Sequence, residues 1–279
     1  MSWKIGVLGG GRMGAGIAHA LLLAGARVTV VERDHDSAAA AKARVEKALA
    51  KSIERGMQQA EGQQVQVSTD MQDFTGCALV VEAVPEDLDL KTASLIGIEQ
   101  AIAPNAMLAS NTSSISIDKL AASLQHPERF LGLHFFNPVP ASKLVEIVLG
   151  AQTAPPIGED ARTWVETIGK TPVTVTDSPG FASSRLGVAL GLEAIRMLEA
   201  GVASAADIDA AMELGYRHPV GPLKTTDIVG LDVRLGIAEE LSRELGPRFE
   251  PPQLLRDMVA RGELGRKSGK GFYDWSDAS

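Results

Sequence analysis

Cysteine is almost missing from this chain of 279 residues: Cys77 stands alone. A single thiol excludes an internal disulfide and suits a reducing compartment, which points to the cytoplasm. Cys77 lies in an apolar run and reads as a buried, inert thiol. Positive charge is also scarce, with 27 Lys plus Arg against 35 Asp plus Glu and a formal net charge of -8. An acidic surface repels phosphate backbones, so nucleic acid is not an expected partner, and any anionic ligand must meet locally basic groups. No apolar run approaches the roughly 20 residues of a transmembrane helix. Nor does the sequence open with a basic segment, an apolar core and a cleavage site. A soluble protein with no membrane partner is expected. Internal repeats are lacking too.

What is present is ordinary globular material, 45% apolar and 22% charged, in a chain long enough for two domains with real cores. Short apolar runs alternate with helical patterns in the first half, the rhythm of a parallel sheet covered by helices. Strands are expected at Ile5 to Leu8, Val28 to Val31, Ala78 to Val81, Met107 to Ala109, Phe130 to Phe135, Leu144 to Leu149 and Val173 to Thr176. Helices are expected from Gly14 to Leu23 and from Ser37 to Arg55, stopped by Gly25 and Gly56, while Gln58 to Thr69 reads as a loop or exposed helical turn. After Ser178-Pro179-Gly180 the pattern becomes helical, at Leu186 to Ala200, Ala205 to Leu214, Val229 to Leu245 and Gln253 to Ala260. The expectation is an α/β fold, with a Rossmann-type dinucleotide-binding domain over 1–179 and an all-helical domain over 180–279. A cleft between two such domains is a usual place for substrate.

Gly9-Gly10-Gly11-Arg12-Met13-Gly14 fits the Gly-x-Gly-x-x-Gly pattern. Standing between a strand and a helix, the loop offers backbone N–H groups and the helix dipole to a pyrophosphate, and its missing Cβ atoms allow close approach. A tight strand-to-helix turn without ligand is the alternative. Gly9, Gly11, Arg12, Met13 and Gly14 are thus cofactor-site candidates. Glu32 ends the second strand about twenty residues on, where a carboxylate accepts from ribose hydroxyls and repels a 2′-phosphate. Glu32 therefore favours NAD over NADP, although Arg33 beside it offers a guanidinium to a phosphate.

His134, in Leu133-His134-Phe135-Phe136-Asn137-Pro138, is followed by Glu146 and preceded by the polar run Ser110 to Ser114. A neutral imidazole can take a proton from an alcohol near neutral pH, and a carboxylate on its other nitrogen fixes the tautomer and stabilises the imidazolium. His19, His35 and His126 lack such neighbours and read as ordinary surface or satisfied core residues. Glu146 alone could equally be a surface ion-pair partner on a strand.

These segments together resemble the short-chain L-3-hydroxyacyl-CoA dehydrogenases, the 3-hydroxybutyryl-CoA dehydrogenases included. The resemblance also rests on Val81-Glu82-Ala83-Val84-Pro85-Glu86 with Lys91, Leu144-Val145-Glu146, Asp177 to Phe181, His218 to Pro222 and the tail Gly265 to Tyr273, in the family's order over almost the whole chain. It implies that His134 takes the proton of a 3-hydroxyl while hydride leaves C3 for a nicotinamide, with Glu146 holding the imidazole and Ser113 hydrogen-bonding the reacting oxygen. It also implies that Glu86, Lys91, Asn111 and Asn137 surround the nicotinamide ribose and that Lys270 lies on the cofactor side. Taken singly, Lys91 could be an exposed helical lysine, Asn111 a helix cap, Asn137 a turn residue and Lys270 a solvated charge.

One position departs from the family. Where its members carry Asn-Arg after Pro-Gly-Phe, this chain reads Ala182-Ser183-Ser184-Arg185, so Ser184 replaces an Asn that contacts substrate oxygen. A hydroxyl is shorter than a carboxamide and keeps one donor. Lys51 and Arg55, four apart on one helical face, match the family's CoA-contacting region and equally suit a solvated basic face. The resemblance further implies a homodimer built by the helical domain, whose apolar stripes by themselves read as internal packing. Two other functions stay open: a dehydrogenase of a non-CoA 3-hydroxy acid, separable by a CoA-ester versus free-acid assay, and a non-catalytic NAD- or acyl-CoA-binding protein, separable by turnover.

Overall fold

The computed structural model describes residues 3–57 and 64–276. The chain divides into two compact units, with the break between Ser178 and Pro179. The first alternates strand and helix: β1 (Lys4–Leu8), α1 (Arg12–Leu23), β2 (Arg27–Val31), α2 (His35–Glu54), β3 (Gln66–Ser68), β4 (Leu79–Glu82), α3 (Leu88–Ala101), β5 (Met107–Ser110), α4 (Ile117–Ala121), β6 (Phe130–Phe135), β7 (Leu144–Leu149), α5 (Pro155–Thr167) and β8 (Thr171–Thr176). The strands form one sheet in the order β3-β2-β1-β4-β5-β6-β7-β8. All neighbours run parallel except β6 and β7, which are antiparallel.

β4, β5 and β6 are buried along their whole length, which is why they read as unbroken apolar runs rather than alternating ones. Their apolar side chains, with those of β1, β2, α1 and α2, make one core. The starts of α2 and α3 are set by short polar residues. Asp34 accepts from Ser37 N at 2.7 Å to begin α2, and Asp87 accepts from Leu90 N at 2.8 Å to begin α3; such a cap stabilises a helix by about 1 kcal/mol. Cys77 is buried, as expected, and burial raises its thiol pKa.

The structure corrects the sequence reading in several places. Within the segment read as a loop, Gln66–Ser68 is a strand that pairs with β2, while residues 58–63 of that segment lie outside the described residues. β4 runs one residue further than the apolar run, to Glu82, and β8 begins at Thr171 rather than Val173.

A further correction falls in the second unit: α6 (Ser183–Glu199), α7 (Ala205–Tyr216), α8 (Pro222–Val229), α9 (Leu231–Leu245) and α10 (Gln253–Ala260). The helix expected from Val229 to Leu245 is broken at Gly230, whose φ of 108° no helical residue adopts, and α8 precedes the break. These helices bury a second apolar cluster. The tail closes onto it through Asp227, whose buried carboxylate accepts from Phe272 N, Tyr273 N and Trp275 Nε1 at 3.0, 2.9 and 2.8 Å. Among the described residues no helix is long and apolar enough to cross a membrane.

Candidate active site

β6 and β7 form an antiparallel pair whose register sets His134 directly opposite Glu146. Directly opposed side chains in such a pair stand about 5 Å apart at Cβ, and here the imidazole Nδ1 lies 2.8 Å from Glu146 Oε2. His134 is 5% exposed and Glu146 1%, so the pair interacts in a low-dielectric interior where a charge-assisted hydrogen bond is strong. With Nδ1 held by the carboxylate, the ring turns Nε2 away from Glu146. The Phe136 ring packs 4.5 Å from the imidazole, centroid to centroid. Burial of Glu146 removes the alternative of a surface ion pair.

The polar run continues from the end of β5, beside β6 in the sheet. Asn111 Oδ1 accepts from Phe135 N at 2.9 Å, tying this run to the residue after His134; it is an interstrand brace, not a helix cap. Ser113 is half-buried and its backbone N–H donates to Glu86 Oε1 at 2.8 Å. The same oxygen accepts from Thr112 Oγ1 at 2.6 Å and from Ser114 N at 3.0 Å. Burial raises the Glu86 pKa, but the Lys91 ammonium and these donors outweigh it, and the carboxyl is held below its ordinary value. Lys91 is no exposed helical lysine. At 1% exposure its Nζ donates to Glu82 Oε1 at 2.8 Å and lies 3.4 Å from Glu86 Oε2. Glu82, absent from the sequence-derived site, is fully buried behind them. Asn137 is exposed, before a cis peptide bond to Pro138.

The glycine loop fits a dinucleotide. Gly11 caps α1 with no side-chain hydrogen bond, and α1 has no acid in its first turn, so its N-terminal N–H groups and dipole are left to an anion. A Cβ at Gly11 would meet nothing within 4 Å, whereas one at Gly14 would stand 1.7 Å from Gly9 O. The first position is open approach and the second is enforced packing. Arg12 and Met13 begin α1. Glu32 Oε1 accepts from Gly10 N at 2.7 Å, which sets the carboxylate at the rim of the loop. Arg33 is 85% exposed and paired with Asp34 at 3.0 Å.

On the same unit, His19, Ser52, Arg55, Pro140, Ala141 and Lys170 line a cavity of about 400 Å³. Arg55 reaches it; Lys51, exposed in the last turn of α2, is not in its lining. Lys170 donates to Val139 O at 2.6 Å and to Ser142 O at 2.5 Å, fixing the chain that follows Pro138. His19 shares a hydrogen bond with Ser52 Oγ at 2.9 Å, and burial lowers its pKa. Lys170 and Ser52 were not legible as site residues, since nothing in sequence links them. In the helical unit, Ser184 is half-buried in the first turn of α6. Lys270 is 68% exposed and paired with Glu263 at 2.7 Å.

The comparisons with known proteins agree with one another. Residues 4–178 match the model of the 3-hydroxyacyl-CoA dehydrogenase NAD binding domain, and residues 180–275 that of the 3-hydroxyacyl-CoA dehydrogenase C-terminal domain. The chain is 41% identical to a 3-hydroxybutyryl-CoA dehydrogenase of Mycobacterium tuberculosis, covering 98% of each. It is 38% identical to the mitochondrial hydroxyacyl-coenzyme A dehydrogenase of Rattus norvegicus, covering 96% of this chain and 90% of the relative. The crystal structure of (S)-3-hydroxybutyryl-CoA dehydrogenase from Ralstonia eutropha superimposes with a TM-score of 0.93 at 38% identity, covering 99% of each chain.

Proposed function

The chain belongs to the 3-hydroxyacyl-CoA dehydrogenase family and is an NAD-dependent oxidoreductase of 3-hydroxyacyl-CoA; from that premise we propose that His134 is its general base and acid, acting on short (3S)-3-hydroxyacyl thioesters. The observation that carries this is the buried cross-strand pair of His134 and Glu146. Nε2 of His134 takes the proton of the 3-hydroxyl in oxidation and returns it in reduction. Glu146 keeps the proton on Nδ1 and stabilises the imidazolium while it lasts. Ser113 hydrogen-bonds the reacting oxygen, and Glu86, which holds its backbone, lies with Asn111, Asn137 and Lys91 around the nicotinamide ribose. Bound NAD supplies the hydride acceptor. Glu32 at the rim of the Gly9 loop favours NAD, and the exposed, paired state of Arg33 leaves that preference unopposed.

The CoA end is assigned to Arg55 rather than to Lys51, because Arg55 and Lys170 give an acidic protein a cavity with two cations in its lining. The helical unit is assigned to pairing of two copies. Leu186, Leu214 and Tyr216 are 70%, 83% and 76% exposed there, large apolar side chains that a second copy would cover. Sedimentation at the monomer mass would overturn that assignment. A cytoplasmic location fits the single buried thiol. Steady-state turnover of acetoacetyl-CoA with NADH tests the main reading. His134→Gln is expected to lower kcat on the order of 10²- to 10⁴-fold, and turnover that survives the change refutes the assigned base. Equal efficiency on a free 3-hydroxy acid refutes the CoA substrate.

A further inference from the structure

Glu82 has no part in the proton path, yet both oxygens of its carboxylate are engaged. It is fully buried at the C-terminal end of β4. Its Oε1 accepts from Val84 N at 2.6 Å and from Lys91 Nζ at 2.8 Å. Its Oε2 accepts from Ser110 Oγ at 2.6 Å and from Lys91 Nζ at 3.1 Å. A buried carboxylate with this many donors is held in one geometry, because losing any of them leaves a charge unsolvated.

These bonds run to both ends of the run that carries Ser113. On one side Ser110 Oγ, fixed by Glu82, accepts from Thr112 N at 3.2 Å. On the other, Lys91, fixed by Glu82, stands 3.4 Å from Glu86 Oε2 while Glu86 Oε1 takes the Ser113 and Ser114 N–H groups. Lys91 Nζ also donates to Val84 O at 3.2 Å, and a Cβ on Gly9 would stand 2.9 Å from Ala83 O, so the glycine loop rests against the backbone that Glu82 orders. In open α/β sheets ligands bind beyond the carboxyl ends of the strands. Glu82 lies at such an end, tying the dinucleotide loop, the β4–α3 loop and the Ser113 run into one unit.

We propose that Glu82 is a positioning residue for the reaction. Through Lys91 and Glu86 on one side and Ser110 on the other, it sets the place of the Ser113 hydroxyl relative to the cofactor loop. The inference rests on the reading that Ser113 faces substrate. Removing the charge of Glu82 leaves the Lys91 ammonium with Glu86 as its remaining carboxylate. Lys91 is then drawn onto Glu86, in competition with the N–H groups of Ser113 and Ser114, and the run shifts.

The test is a double-mutant cycle on the full chain, with acetoacetyl-CoA and NADH as substrates and thermal unfolding as a control. Glu82→Gln is expected to lower kcat about tenfold or more, and Ser113→Ala to do the same. The pair together is expected to fall no more than about twofold below Ser113→Ala alone, because the second change acts through a hydroxyl already gone. Effects that multiply show Glu82 to be a structural residue only and overturn the proposal. So does a Glu82→Gln enzyme within twofold of wild type while Ser113→Ala is impaired, a result that leaves the proposed function standing. Ser113→Ala with wild-type kinetics removes the reading of Ser113 itself and the inference with it. Should Glu82→Gln fail to fold, Ser110→Ala, which severs one arm, takes its place in the cycle under the same criteria.

Discussion

His134 and Glu146 are register partners across the sheet's one antiparallel junction, Nδ1 to Oε2 at 2.8 Å. Twelve residues apart in sequence, they meet because the strand reverses. Glu146→Gln keeps the shape but removes the negative charge that stabilises the imidazolium. It is expected to lower kcat on the order of 10²-fold or more with little change in KM for NADH. Single-turnover and steady-state kinetics check this, and an unchanged kcat would falsify the assigned role of Glu146.

Ser184 offers one hydroxyl where the family offers a carboxamide. Ser184→Asn is expected to change kcat/KM by about an order of magnitude on at least one acyl-chain length. A panel from acetoacetyl-CoA to longer, branched and carboxylated thioesters reads this out. Identical profiles would show that the first turn of α6 does not face substrate.

Arg55 lines the cavity and Lys51 does not. Arg55→Glu is therefore expected to raise KM for acyl-CoA several-fold, while KM for NAD and the Lys51→Glu enzyme stay near wild type. Equal effects of the two substitutions, or equal effects on the two substrates, count against the assignment.

The depressed pKa of Glu86 is also a statement about stability. A carboxyl whose folded value lies below its unfolded value of about 4.3 contributes stability that is present above that value and is lost as pH falls through the folded one. The gap in Tm between wild type and Glu86→Gln is thus expected to be widest near neutral pH and to close as the solution is acidified below about pH 4. A gap that persists unchanged at low pH contradicts the role of the Lys91 and Ser113 contacts in holding the carboxylate charged.

Much of this was legible in the sequence for local reasons. The apolar runs of β1, β2, β6 and β7 and the glycine turn announce themselves within a few residues, and His134 was picked out by neighbours on its own and the next strand. What was missed depends on distant partners. Glu82 ends an apolar run and looks like a solvent-facing terminus; only Lys91 and Ser110 in space make it a buried anchor. Gln66–Ser68 is too short and polar to show a strand period, and becomes a strand because β2 offers it an edge. Gly230 sits in a good helical pattern, but its positive φ ends α8 and starts a new helix. Lys170 and Ser52 reach the same cavity from segments far apart in the chain.

The antiparallel ladder between β6 and β7 has a consequence for how the enzyme fails. The His134–Glu146 pair is fastened by main-chain hydrogen bonds between two interior strands, of the kind that opens only near global unfolding. The Ser113 run is fastened mainly by side chains at the sheet's rim, which can let go in a local opening of lower free energy. Under rising denaturant, turnover should therefore vanish before the sheet's circular dichroism changes. Amide protons of Leu133 and Ile147 should stay protected from exchange in molecules that have already ceased to work.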